Sequence, residues 1–267
     1  MLRALLLSFV LLAPAFAAAP AFAMDQPIEA FRPEGTGDFD HSAFDAILER
    51  HVKPDGKGYN RFDYKAALAD RAALAVYLEA MQAAKPSTFG RDAAHAYWIN
   101  LYNAKTLDVV LEAYPVTSIR RINLGGGFFS IGPWKKDILE VEGRRLSLDD
   151  VEHRIVRAIF EDPMSHYGLN CASYSCPNLM DRAYTAANTD ALLERSAREY
   201  VNHPRGVRVR DGRITASKIY KWYADDFGGA DALKGHWTRF AEPALAKAIE
   251  GATLGSYLYD WDLNEPK

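Results

Sequence analysis

Tyr97-Trp98-Ile99-Asn100-Leu101-Tyr102-Asn103-Ala104-Lys105-Thr106-Leu107-Asp108-Val109-Val110-Leu111 is the stretch on which the fold turns. Its period predicts a helix over about 93–114. Pro115 stops it, because the residue before a proline is driven out of the helical region. At about 100° per residue, Asn100, Asn103, Ala104, Leu107, Leu111 and Tyr114 share one stripe, with Lys105, Asp108 and Glu112 opposite. Two amides therefore face the core. A buried amide without partners costs about 1–3 kcal/mol, so these two either hold the backbone of a neighbouring loop or stand beside a site.

Upstream, Phe44, Ile47, Leu48 and Val52 read as a short helix from His41, and Lys53-Pro54-Asp55-Gly56 as a turn. Leu74, Tyr77, Leu78 and Met81 mark a second helix. Downstream, Ile138-Leu139-Glu140-Val141 and Arg144-Arg145-Leu146 flank Glu142-Gly143 as a small hairpin. Ser147-Leu148-Asp149-Asp150 is a capping box for a helix that turns Leu148, Val151, Ile155, Ala158 and Ile159 inward. On it Glu152 borders the apolar stripe, and His153 projects with Phe160 to another side. Val207-Arg208-Val209-Arg210, Asp211-Gly212 and Arg213-Ile214-Thr215 form the strongest hairpin signal. Ser217 caps a further helix with Ile219, Trp222 and Tyr223 on its apolar face. The aromatic end, 257–263, packs onto the rest.

These elements define an α+β fold, a single domain over 41–267 of helices packed on a small, mostly antiparallel sheet, without βαβ alternation. Residues 24–40 have no period and read as a leader wrapping the domain or a mobile tail. A hydrophobic content of 49% suffices for one substantial core or two small ones. Residues 1–23 combine Arg3, an apolar run over 4–16 and Ala-x-Ala cleavage sites, the pattern of a secretory signal. The expectation is a periplasmic or secreted protein. The apolar run is shorter than the roughly 20 residues that span a bilayer, so no integral membrane association is expected. A net charge of −3 argues against a nucleic-acid partner held by broad electrostatics. The basic set Arg205, Arg208, Arg210 and Arg213 reads as alternating strand residues facing solvent.

Ser165-His166-Tyr167-Gly168-Leu169-Asn170-Cys171-Ala172-Ser173-Tyr174-Ser175-Cys176-Pro177 holds both cysteines of the chain and one of its seven histidines. As a strand, His166 and Asn170 would share one face and Cys171 the other, with the following loop returning Cys176, Ser173 or Ser175 beside His166. Three chemistries fit the cysteines. They form a disulfide, as an oxidising compartment favours; or one is a catalytic thiol activated by histidine; or both bind metal with one or two of His166, His153 and His203. His41, His51, His95, His203 and His236 read as structural or surface groups, and Asp225-Asp226 before Phe227-Gly228-Gly229 as a helix-terminal turn. Gly125-Gly126-Gly127 through Trp134-Lys135-Lys136 lacks the Gly-Lys-Ser/Thr ending of a phosphate loop. It reads as a surface-to-core crossing or the rim of a pocket. No cofactor is expected.

In order along the chain, Tyr97-Trp98-Ile99-Asn100-Leu101-Tyr102-Asn103-Ala104, Gly132-Pro133-Trp134, Asp150-Val151-Glu152-His153, His166-Tyr167-Gly168-Leu169-Asn170-Cys171 with Ser175-Cys176-Pro177, and Ser217-Lys218-Ile219-Tyr220-Lys221-Trp222-Tyr223 resemble the family called domain of unknown function 547. The resemblance runs over most of the chain beyond the signal-like start. It implies kinship without a defined activity, and a distant likeness to papain or transglutaminase-like cysteine enzymes. The helix that would start with their nucleophile offers Trp98, Asn100 and Asn103 and no cysteine. Within the matched segments Asn100, Asn103, Glu152, His153, His166, Cys171, Ser175 and Cys176 are the polar candidates. A thiol-dependent hydrolase or acyltransferase would use Cys176 or Cys171 as nucleophile, His166 as base, Glu152 as orienting carboxylate and Asn103 as oxyanion donor. Asn100, His153 and Ser175 would help bind an unidentified small-molecule or peptide ligand. The competing class is a non-catalytic periplasmic binding or assembly module, in which the same residues hold a disulfide-closed recognition loop.

Overall fold

The computed structural model describes residues 28–125 and 131–266. The signal-like segment 1–23, the start of the 24–40 leader and residues 126–130 of the glycine-rich stretch lie outside them. The described part of the leader lies on the fold: Phe31 is fully buried with its ring centroid 5.1 Å from that of Trp98.

Helix α1 (Ser42–His51) buries Phe44, Ile47 and Leu48 and leads into a hairpin of β1 (Val52–Pro54) and β2 (Asn60–Phe62). After the one-turn α2 (Tyr64–Ala67), α3 (Arg71–Ala83) buries Leu74, Tyr77, Leu78 and Met81, the four residues its period singles out. Helix α4 (Arg91–Ala113) follows, and every residue over 93–104 is buried. Such a helix is walled on all sides, here by α3 and by the helix beginning at Asp150. Its polar side emerges only later, where Lys105 donates to Asp108 at 2.8 Å.

β3 (Leu139–Val141) and β4 (Arg144–Leu146) form the next hairpin. The capping box behind it is made as expected: Ser147 N–H donates to Asp150 Oδ2 at 2.9 Å and Asp150 N–H to Ser147 Oγ at 3.1 Å. The helix it opens, Asp150–Phe160, is a π-helix. Its i→i+5 turns are wider than α turns. Val156 and Phe160 therefore join Val151, Ile155 and Ile159 in the core, whereas Ala158, expected inward, is exposed. Beyond it, α5 (Thr189–Asn202) precedes β5 (Val207–Arg210) and β6 (Arg213–Ser217). Their turn residues Asp211 and Gly212 have φ of 51° and 69°, the double positive that a two-residue hairpin needs.

Helices α6 (Ile219–Trp222), α7 (Leu233–Phe240) and α8 (Pro243–Gly251) then cross over, and β7 (Thr253–Leu258) joins β6 in parallel. The α+β class holds. Among the described residues the strands make three small sheets, β1-β2, β3-β4 and β5-β6-β7, instead of one. The first two hairpins are three residues a side. Two apolar clusters result, one around α1, α3, α4 and the π-helix, the other around α5, β5, β6 and α7. Met164 packs against both.

Candidate functional site

The segment after Met164 is held between the clusters by amides. Asn103 Nδ2 donates to Gly168 O and its Oδ1 accepts from Asn170 N–H, both at 2.8 Å. Asn100 makes the same two-point clasp on Tyr184, donating at 2.7 Å and accepting at 3.0 Å. Asn170 in turn donates to Pro177 O at 2.7 Å and accepts from Ala172 N–H at 2.9 Å, which folds residues 170–177 into a loop. Across that loop Cys171 and Cys176 are joined by a disulfide, their Cα atoms 6.3 Å apart. The C-terminal segment closes over it: Tyr174 N–H donates to Asp262 O, Asn264 N–H to Ala172 O, and Asp260 N–H to Ser175 Oγ.

The start of this segment is not a strand. Asp162 accepts from Met164 N–H at 2.9 Å and Pro163 occupies the first helical position, so 163–167 winds as a 3₁₀ turn. The face-sharing expected for His166 and Asn170 therefore does not arise. His166 instead points toward a cavity of about 260 Å³ lined by both cysteines, Glu152 and His153 from the π-helix, Asp149 just ahead of it, Trp222 and Tyr223 from the end of α6, Tyr259 and Trp261 from the C-terminal segment, and Trp134. Trp222 and Tyr223 thus line the cavity, Tyr223 packing against the second cluster as well, and Trp222 is 46% exposed. Trp134, from the described end of the glycine-rich stretch, lines the cavity. Gly132, with φ of 77°, lies so close that a Cβ would stand 2.0 Å from the Trp134 ring.

His166 Nε2–H donates to Asp226 Oδ2 at 2.6 Å, and Arg157 grips the same carboxylate at 2.6 and 2.8 Å. The Arg157 bonds first and the His166 bond second hold the Asp226 carboxyl far below the usual carboxylate range. Because Asp226 can only accept, His166 carries its proton on Nε2, and Nδ1 has no hydrogen-bond partner among the described residues. The imidazole stacks on Tyr223, centroids 4.2 Å apart, and the Arg157 guanidinium lies 4.9 Å from the centroid of the same Tyr223 ring. Tyr223 donates to Glu152 Oε1 at 2.6 Å, and burial followed by the Glu152 charge pushes its pKa far up. Burial also raises the Asp149 pKa, opposed by His153, whose Nε2 stands 3.9 Å away. The Tyr259 hydroxyl lies 3.2 Å from both sulfurs and accepts from Ser173 Oγ at 2.9 Å.

Of the residues singled out by sequence, Glu152, His153, His166, Cys171 and Cys176 converge on the cavity. Asn100, Asn103 and Ser175 do not line it. Asn103 has both ends of its amide on backbone and does not line the cavity, so it positions the His166 and Cys171 segment. Ser175 Oγ is bonded to Asp260 N–H. Glu152 is the partner of Tyr223, and the carboxylate that orients His166 is Asp226, which sequence reasoning assigned to a turn. Arg205 is also corrected: it is buried between the rings of Tyr59 and Tyr200 and donates to Cys176 O and Asn178 Oδ1. His51, read as a structural or surface group, is buried and pairs with Asp70 at 2.6 Å. Both sulfurs are in the disulfide, and no group of three His, Cys, Asp or Glu side chains among the described residues could hold a metal ion. No helix among them is long and apolar enough to cross a membrane.

Fold and site define an α+β protein with a disulfide in the wall of an aromatic cavity and a histidine–carboxylate pair beside it. Residues 86–201 match the model of the family described as "Protein of unknown function, DUF547". No curated protein and no solved structure matches the chain. The matched segment supplies the disulfide, His166 and the π-helix. Asp226, Trp222, Tyr223, Tyr259 and Trp261 come from beyond it.

Proposed function

We propose that the chain takes a small molecule or a peptide side chain into the disulfide-walled cavity and, once the Cys171–Cys176 bond is reduced, acts on it as a thiol-dependent hydrolase or acyltransferase. The observation that carries this is the convergence of both sulfurs with His166, Glu152 and His153 on one cavity. Opening the bond takes two electrons from an external dithiol, which leaves as its own disulfide. Cys176 is then the nucleophile, because its Sγ accepts Cys171 N–H at 3.0 Å and a donor to sulfur favours the thiolate. His166 Nδ1 takes the thiol proton while Asp226 holds the ring. The thiolate attacks a carbonyl carbon, and the leaving group departs with that proton. Water or an acceptor nucleophile then releases the acyl group. Export, the expectation from residues 1–23, would keep the bond closed until a reductant reaches it.

The disulfide itself favours a second reading, a binding or assembly module, since the closed bond offers no thiol. Incubation with an activated acyl ester, with and without dithiothreitol, separates the two by mass spectrometry. A single acyl adduct on Cys176 is expected only after reduction, absent in Cys176→Ser and formed about 10²-fold more slowly in His166→Ala. Equal acylation of Cys176→Ser and the parent protein rejects the thiol reading and leaves the binding module.

A further inference from the structure

Four aromatic side chains of the cavity touch one another without lying parallel. Tyr259 and Trp261 have centroids 4.6 Å apart at 53°, Trp222 and Tyr259 4.9 Å at 51°, and Trp134 and Trp261 5.6 Å at 64°. Rings splayed in this way wall a box and do not stack as one platform. Their faces carry the negative lobe of the ring quadrupole, which attracts a cation. Asp149, just ahead of the π-helix, and Glu152 within it add two carboxylates to the lining, and neither lysine nor arginine is part of it.

Nearby positive groups are accounted for. Arg157 is bound through Nε and Nη2 to Asp226. Arg120 lies 5.2 Å from the Trp261 centroid, so this indole already receives a cation from outside the cavity lining. Lys135 is near enough to favour the charged form of Asp149 but does not line the cavity. His153 Nδ1 accepts from Arg157 Nη1 at 3.3 Å, and His166 is bonded to Asp226. An anionic ligand would meet two carboxylates and the ring faces. A neutral apolar one would desolvate the carboxylates without replacing their partners.

We infer that the cavity selects an alkylammonium group, received by the Trp134, Trp222, Tyr259 and Trp261 rings and by the Asp149 and Glu152 carboxylates. This names the substrate class of the site proposed above and rests on that cavity being the working one. At about 260 Å³ the space suits one head group with a short chain and not an extended polymer. Trp222, 46% exposed, is the ring a ligand would cover.

Isothermal titration calorimetry on the oxidised chain tests the inference with choline, with an N-acetyl-lysine methylamide as the peptide-borne amine, and with the neutral isostere of choline in which tert-butyl replaces trimethylammonium. Saturable binding of choline or of the lysine derivative is expected, the tighter of the two naming the source, and the neutral isostere should bind about tenfold more weakly. Glu152→Gln and Trp222→Ala should each weaken the cation about tenfold. Trp222→Phe, which keeps a ring face, should restore most of the affinity, and unchanged thermal melting shows that the variants fold. A neutral isostere that binds as tightly as choline, or no saturable binding of either cation, overturns the inference. Acylation of reduced Cys176 by a neutral ester is read separately: its presence without cation binding defeats this inference alone, and its absence with cation binding defeats the thiol reading alone.

Discussion

Asn103 shows how a single buried amide sets a site without touching it. Its two bonds, to Gly168 O and from Asn170 N–H, lie on either side of Leu169 and bracket the path from His166 to Cys171. Asn103→Leu keeps the volume but strands a buried carbonyl and a buried N–H, each worth about 1–3 kcal/mol. Urea unfolding should show a loss of at least about 2 kcal/mol, and a loss no larger than that of an exposed substitution such as Arg145→Gln would count against this role. That Asn100 and Asn103 must find partners was legible, because both sit on an apolar helical stripe. The partners themselves were not, since Gly168, Asn170 and Tyr184 are far along the chain. Asp226 was missed for the same reason: before Phe227-Gly228-Gly229 it has the local chemistry of a turn, and only the tertiary fold brings it to His166.

At the level of elements, signals tied to a backbone requirement transferred directly. Asp211-Gly212 demands positive φ at both positions, and the turn has it. The Ser147 and Asp150 capping box was equally readable, whereas the π character of the helix behind it was not, because a 3.6-residue template puts Ala158 inward in place of Val156. Alternation misread 166–170 as a strand by passing over Asp162-Pro163, a helix-start pair. The wide helix matters to the site: its N-cap and first turns carry Asp149, Glu152 and His153 to the cavity, and π segments recur at functional sites. Ser147→Ala removes the hydroxyl that accepts Asp150 N–H and donates to Asp150 Oδ2 at 2.6 Å. A cap of this kind is worth about 1 kcal/mol. Ser147→Ala should therefore lose about that much in urea unfolding, with Ser147→Thr close to the parent. Identical midpoints for alanine and threonine would contradict the cap.

On the scale of the whole molecule, two apolar clusters meet around Met164, and buried histidines packed among them resist protonation. His41 and His95, 3% and 7% exposed, are both pulled down from 6.5 to about 4 by burial. Both are neutral in the fold, whereas the unfolded chain takes up a proton on each below pH 6.5. Their contribution is therefore complete above pH 6.5 and is lost as the pH falls toward about 4, with a slope of at most about 1.4 kcal/mol per pH unit for each. His203 and His236, also lowered to about 4 chiefly by burial, act in the same direction. Asp226 does not share this window. Its carboxyl is depressed, so its stabilisation persists through pH 5 and fades only below the ordinary value of 3.8. Asp149, raised by burial, works the opposite way and only toward the carboxylate range. Urea unfolding between pH 8 and 4.5 should thus give a flat stability above about pH 7 and a decline of more than one proton's slope below about pH 6. A profile that stays level down to pH 4.5 would mean that the buried histidines are not neutral in the fold, and the packing of both clusters around uncharged imidazoles would have to be abandoned.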